Sequence, residues 1–296
     1  MTDIRNEQPG QHRLAVVGAG VMGTNITALA AGHGVSVTLV DIDDEILATA
    51  RTTIRHKLKH AQLMGALPAN RPQGTVTTTT SLADIADATT VIEAVVEITE
   101  VKRKVLAEVS ALVTPGTLLI SNTSCVPVDE MADWVARGEE LVGVHFMNPS
   151  YLIKMVEVIR GSATTDATMD AVGALLRALD REALVVNDAP GFVINRLLHP
   201  LINRAAMLVQ EGVATAETVD GLLEGCLGHS TGPLRTADLI GIDNLVDSLR
   251  VLHERTGDPE CDPCELMLRK VRDGHHGRKT GRGFYDYRSA TERNMR

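Results

Sequence analysis

Six residues near the start of the chain, Gly18-Ala-Gly20-Val-Met-Gly23, restrict its possible folds more than any other feature. Glycines at that spacing suit a backbone that turns sharply out of one element and straight into the next. The flanks supply both elements. Leu14-Ala-Val-Val17 reads as a buried strand and Thr24 to Ala31 as a helix. A second apolar run, Val35 to Val40, ends at Asp41, 18 residues beyond Gly23. Strand, glycine turn, helix and acid-terminated strand, in that order, make a Rossmann-type dinucleotide-binding unit. Gly18 would permit the turn, Gly20 the approach of pyrophosphate, and Gly23 the packing of helix on strand. Val21 and Met22 would open the helix beneath the phosphates. Asp41 would accept hydrogen bonds from ribose hydroxyls and repel a 2′-phosphate. Ile42-Asp43-Asp44 offers no arginine to neutralise one, so the expected cofactor is NAD rather than NADP. Glycine hexamers also arise by chance, and a fold binding FAD or nothing is the alternative.

The alternation continues. Thr90 to Glu93, Leu118 to Ser121, Leu141 to Val144, Met155 to Ile159 and Leu184 to Val186 read as strands separated by helices. Thr77 to Thr80 reads as a strand edge. Such runs predict an α/β fold with a mostly parallel sheet covered on both faces. After Asn187 the pattern changes. Leu197, Leu198, Leu201, Ile202, Ala205, Leu208 and Val209 recur at helical spacing, and strand candidates become few. Asp188 is expected to cap a helix carrying Pro190 in its first turn. Two domains are expected: an NAD-binding Rossmann domain over 1–187 and an all-helical domain over 188–296.

A formal net charge of −9 argues against a nucleic-acid groove, which needs a dense basic face. Aromatics are 2% of the chain, so Ala, Val, Leu and Ile must build its core. The first twelve residues are polar and lack the apolar stretch of a signal peptide. No run of about twenty apolar residues suggests a membrane span. The expected location is the cytoplasm. Cys261 and Cys264 form a C-x-x-C pair followed by His275 and His276. Asp262-Pro263 lies inside the pair and no second pair exists, so it reads as a turn before a helix over Glu265 to Arg272, and no metal is expected.

Three polar residues stand at or inside strands of the sheet's second part. Ser124 follows one strand, His145 closes the next, and Glu157 interrupts the apolar run after that. Ligands of open α/β sheets bind beyond the carboxyl ends of strands, so Ser124 and His145 should face one crevice. A Glu in a buried strand needs a partner, and His145 is the obvious one. Singly, each has a plainer explanation: Ser124 as a helix cap, His145 as a core histidine, Glu157 at an exposed sheet edge.

Taken together, these residues carry a resemblance to the 3-hydroxyacyl-CoA dehydrogenases, including the bacterial 3-hydroxybutyryl-CoA enzymes. Beyond the glycine turn, it rests on Val91-Ile-Glu-Ala-Val-Val-Glu97 with Lys102, Ser121-Asn-Thr-Ser124 and His145-Phe-Met-Asn-Pro149. It extends through Met155-Val-Glu-Val158, Pro190-Gly-Phe-Val-Ile-Asn-Arg196, Gly232-Pro233, Asp238-Leu-Ile-Gly-Ile-Asp243 and Lys279-Thr-Gly-Arg-Gly-Phe-Tyr285. The resemblance implies that His145 is the general base for the 3-hydroxyl and that Glu157 orients it. Ser124 and Asn195 would hydrogen-bond the reacting oxygen and thioester carbonyl. Glu97, Lys102 and Asn122 match cofactor-contacting positions, and Asn148 would position neighbours of His145 beside the cofactor. The helical domain would close over the substrate and form a homodimer.

Two segments depart from that family. Ile46 to Met64 can form the first arm of the family's helical hairpin, but Pro68 and Pro72 oppose the second. Arg51, Arg55, Lys57, Lys59 and Arg71 leave a basic surface for CoA phosphates, for an acyl carrier protein, or simply for solvent. Ser150-Tyr151 replaces a more apolar pair after Asn148-Pro149. It would line the acyl pocket and favour a short polar unit such as glyceryl or seryl. Rival readings are a lysine-dependent hydroxyacid dehydrogenase and a non-catalytic NAD-binding protein. The linking helix carries Asn195 and Arg196 rather than lysine, and the Ser–His–Glu set is intact.

Overall fold

A computed structural model describes residues 13–68 and 71–288. The polar N-terminal stretch and Ala69-Asn70 of the proline-containing segment lie outside them. Two compact units divide the chain, Met1–Ala189 and Pro190–Arg296.

In the first unit the glycine turn joins β1 (Leu14–Val17) to α1 (Val21–Gly32). Then come β2 (Val37–Val40), α2 (Asp44–Leu63), β3 (Val76–Thr79), β4 (Thr90–Glu93), α3 (Thr99–Leu112) and β5 (Leu118–Ser121). The short α4 (Val128–Ala132), β6 (Leu141–His145), β7 (Met155–Arg160), α5 (Asp166–Ala178) and β8 (Glu182–Asn187) complete it. One sheet runs β3-β2-β1-β4-β5-β6-β7-β8. Every pairing is parallel except β6 with β7. Strand order reverses between β1 and β4, the point at which open α/β sheets form their ligand crevice. All residues of β1, β4, β5 and β6 are buried, which is why these strands read as apolar runs, with polar residues Glu93, Ser121 and His145 at their carboxyl ends.

Asp43 caps α2 by accepting from the Glu45 and Ile46 N–H groups, while Leu47, Ala50, Ile54 and Ala61 face the core at helical spacing. After Gly65, at φ +66°, the described residues up to Gly74 are not helical. Instead Leu67 closes over the end of α1, where a Cβ on Gly32 would lie 2.5 Å from its Cδ2.

The second unit contains α6 (Ile194–Gln210), α7 (Ala216–Leu227), α8 (Pro233–Ile240), α9 (Ile242–Thr256) and α10 (Glu265–Arg272). Ile202, Ala206, Leu234, Leu245, Leu249, Leu252 and Met267 centre its own core. Its described residues hold only isolated bridges, Gly277 with Arg282 and Arg282 with Asp286. Asn203 braces the Cys261–Cys264 turn, donating to the Glu260 and Asp262 carbonyls and accepting from the Cys264 N–H. Both thiols are free and buried.

One expectation needs correction. The helix does not begin at Pro190. Gly191 and Phe192 take φ of +72° and +53°, which a right-handed helix cannot contain, and α6 starts at Ile194. Asp188 therefore caps a different element: its Oδ2 accepts from the Asp129 N–H in α4 at 2.8 Å.

Candidate active site

The glycine turn lies at the switch between β1 and β4. Gly18 adopts φ +104°, and a Cβ there would meet the Ala94 carbonyl at 2.5 Å. A Cβ on Gly23 would sit 1.7 Å from the Gly18 carbonyl oxygen. Gly20 differs: a Cβ there would meet nothing within 4 Å. Two glycines are thus required by the protein's own packing, while the third faces open space at the start of α1. No side chain caps α1 and no acid stands in its first turn. Exposed Val21 and half-buried Met22 begin that helix. Its uncapped N–H groups and positive dipole end suit a diphosphate. Asp41, at the end of β2, accepts from the Ala19 N–H through Oδ2 at 2.7 Å. The carboxylate expected to meet a ribose therefore also braces the glycine turn.

A buried ionic cluster lies next in the sheet. Lys102 of α3 is 0% exposed. Its Nζ donates to Glu93 at 2.9 and 3.1 Å and pairs with Glu97 at 3.0 Å. Glu93 also accepts from the Ser121 hydroxyl at 2.6 Å and the Val95 N–H at 2.9 Å. Glu97 accepts from the Thr123 hydroxyl, and from the Ser124 and Cys125 N–H groups at 2.8 and 3.2 Å. Burial opposes ionisation of Glu97, but Lys102 and these donors outweigh it and hold its carboxyl below the usual range. Burial likewise opposes the Lys102 ammonium, yet the two carboxylates raise its pKa. Enclosed Lys102 can act on a ligand only through Glu97, whose side chain is 36% exposed. The sequence pattern assigns Glu93 no role beyond ending a strand, although a Glu closing the apolar run Thr90 to Glu93 carries the same signal as Glu157, a buried acid that needs a partner.

Antiparallel pairing sets His145 directly opposite Glu157. Both are buried, and His145 Nδ1 meets Glu157 Oε2 at 2.8 Å. A carboxylate can only accept, so Nδ1 carries the proton and Nε2 is the basic nitrogen. Asn122 accepts from the Phe146 N–H at 3.1 Å, fixing the backbone just past His145. Asn148 Oδ1 accepts from Asn25 Nδ2 of α1 at 2.8 Å. Ser124 follows Asn122 at the end of β5, partly exposed on the loop that Glu97 holds. Asn195 belongs to the second unit, buried in the first turn of α6.

Two surface expectations change. Tyr151 is 8% exposed and packs in the core, its hydroxyl 3.3 Å from His60 Nδ1, so it braces α2 instead of lining an open pocket. The basic surface changes only at half-buried Lys57, while Arg51, Arg55, Lys59 and Arg71 stay exposed even where they donate to neighbours. Arg51 donates to Thr78, Arg71 to the His33 and Ala178 carbonyls, and Lys57 turns inward to α1.

With this geometry in view, comparison with known proteins is decisive. Residues 13–189 match the model for the 3-hydroxyacyl-CoA dehydrogenase NAD binding domain, and residues 191–287 match the C-terminal domain of the same family. The chain belongs to the 3-hydroxyacyl-CoA dehydrogenase family. It is 38% identical to a 3-hydroxybutyryl-CoA dehydrogenase of Bradyrhizobium diazoefficiens, across 94% of this chain and 96% of that one. Among solved structures, FadB2 of M. tuberculosis superimposes with a TM-score of 0.89 at 36% identity, covering 94% and 99% of the two chains. The (S)-3-hydroxybutyryl-CoA dehydrogenase of Ralstonia eutropha gives 0.84 at 34% identity, again covering 94% and 99%. Like the rest of its family, the chain is an NAD-dependent oxidoreductase. The open space at Gly20 and the uncapped start of α1 fit that cofactor. Among the described residues, no helix is long and apolar enough to cross a membrane.

Proposed function

We propose that the protein catalyses the reversible oxidation of a 3-hydroxyacyl thioester to its 3-oxoacyl counterpart, with His145 as general base. The observation that carries this reading is the buried 2.8 Å pair of His145 and Glu157 on the β6–β7 ladder, in the same sheet as the glycine turn. NAD, when bound, supplies the hydride acceptor. His145 Nε2 takes the proton of the 3-hydroxyl as C3 is oxidised, and returns it in the reverse direction. Glu157 keeps the ring in the reactive tautomer and stabilises the imidazolium. Ser124 hydrogen-bonds the reacting oxygen. Gly18, Gly20, Val21, Met22, Gly23 and Asp41 form the nucleotide cradle, and Glu97, supported by Lys102, works with Asn122 and Asn148 at its reactive end.

The test is NADH oxidation with acetoacetyl-CoA. Turnover should be saturable. His145→Ala should lower kcat by about 10²- to 10⁴-fold, the range of general acid–base catalysis, while NADH still binds. Equal turnover by both proteins would remove His145 from the chemistry.

A carrier-protein thioester is a second reading. It is favoured by the absence, among the described residues, of a second helical arm after α2 and by the inward turn of Lys57, which removes one candidate partner for CoA phosphates. Acetoacetyl-CoA should then be a poorer substrate than glyceryl or seryl units offered on an acyl carrier protein, and preference for the CoA ester would end this reading. We also place the protein in the cytoplasm, as a homodimer formed through the second unit. There α6 and α7 expose Leu197, Leu201, Leu222 and Leu227.

A further inference from the structure

Lys57 is an unusual lysine. It lies on α2, partly buried, with no carboxylate at ion-pair distance among the described residues. Its Nζ donates instead to three neutral oxygens of α1: Asn25 Oδ1 at 2.5 Å, Thr24 Oγ1 at 2.9 Å and the Val21 carbonyl at 3.3 Å. An ammonium has only donors, so the atom it meets on Asn25 must be the carbonyl oxygen. That choice fixes the next one. Asn25 is 1% exposed, and its Nδ2 is left to donate to Asn148 Oδ1 at 2.8 Å. Asn148 in turn must keep its own Nδ2 turned away from α1. Asn148 is exposed and lies three residues beyond His145, on the loop that leaves β6.

We propose that Lys57 is a positioning residue: through Asn25 it fixes Asn148 so that an amide N–H, not a carbonyl, faces the crevice beside His145. There the N–H donates to a carbonyl oxygen of the bound reactants. The inference rests on the reading that cofactor and thioester meet at His145. Without the lysine, the two amides can pair in either sense, because Asn25 and Asn148 each offer both a donor and an acceptor. With it, one sense remains. The same chain of bonds ties the helix under the nucleotide cradle to the catalytic loop.

The test compares Asn25→Asp, Asn148→Asp, Lys57→Met and Lys57→Arg, all in the full chain, by NADH titration and by kcat and KM for acetoacetyl-CoA. The Asn25→Asp carboxylate still meets Lys57 but offers Asn148 only an acceptor, so Asn148 must rotate and show its carbonyl outward. Asn25→Asp should therefore reproduce the loss seen in Asn148→Asp, about tenfold or more, the effect of replacing a donor by an acceptor opposite a ligand carbonyl. Lys57→Met frees both senses and should cost about twofold, since about half the molecules stay competent. Lys57→Arg carries donors only and should restore wild-type behaviour. A weakened NADH Kd identifies the cofactor carboxamide as the acceptor; an unchanged Kd with altered thioester kinetics identifies the substrate. Should Asn25→Asp fail to fold, the Met and Arg pair at Lys57 decides. The proposal is overturned if Asn148→Asp is impaired while Asn25→Asp is not, or if Lys57→Arg and Lys57→Met behave alike. Absent turnover in wild type with intact NADH binding would instead point to the reaction assignment.

Discussion

Glu157 and Lys57 show how differently burial treats two charges. Glu157 gains a partner directly across the ladder, so its cost is offset at once. Glu157→Gln keeps an acceptor for Nδ1 but removes the charge that stabilises the imidazolium. We expect kcat to fall by about 10²-fold, the lower end of general acid–base contributions, with little change in NADH affinity. An unchanged kcat would confine Glu157 to a structural role. Lys57 has no such partner, and burial pushes its pKa down to about 8. Between that value and the ordinary 10.5 the unfolded chain holds the proton more tightly than the folded one. The lysine's contribution to stability must then become more favourable as pH rises from about 8 to 10.5. The Tm difference between wild type and Lys57→Met should shift toward wild type across that window. A difference that does not vary with pH would contradict the assignment.

At the level of elements, the glycine turn makes a prediction that separates folding from binding. Gly23→Ala should lower both Tm and NADH affinity, because its Cβ collides with backbone. Gly20→Ala should leave Tm unchanged or slightly raised, since Gly20 sits at φ −69° with open space beside it. Its NADH affinity should fall by at least about tenfold. Unimpaired binding would mean that the diphosphate does not approach there. The cluster joining β4, α3 and the Ser124 loop is the other such device. Lys102→Met leaves Glu93 and Glu97 without their cation, and about 3–5 kcal/mol of destabilisation is expected in denaturant unfolding. The shifts also set its pH limits. With Glu97 lowered, its stabilisation is present above the unfolded pKa of about 4.5 and fades as pH falls through the folded value. With Lys102 raised, its share is complete below about 10.5 and fades as pH rises through the folded value.

For the whole molecule, sedimentation should give a homodimer of the 31.8 kDa chain, and a monomer at micromolar concentration would remove the exposed leucines of α6 and α7 from that role. The sequence by itself determined the α/β alternation and the strand positions, because hydrophobic period and glycine chemistry are local properties of a chain. Leu14–Val17, Thr90–Glu93 and Leu118–Ser121 form strands over the residues their apolar runs span. The identity of Glu157's partner was legible too, since a lone acid in an apolar run demands one. Only the tertiary structure decided where each polar group points. Asp188 left its expected helix for α4, Tyr151 turned into the core, Lys57 left the surface for α1, and Glu93 joined Lys102. Each of those contacts depends on which elements pack together. Hydrogen-bond direction follows from neighbours in space, and no local pattern encodes that.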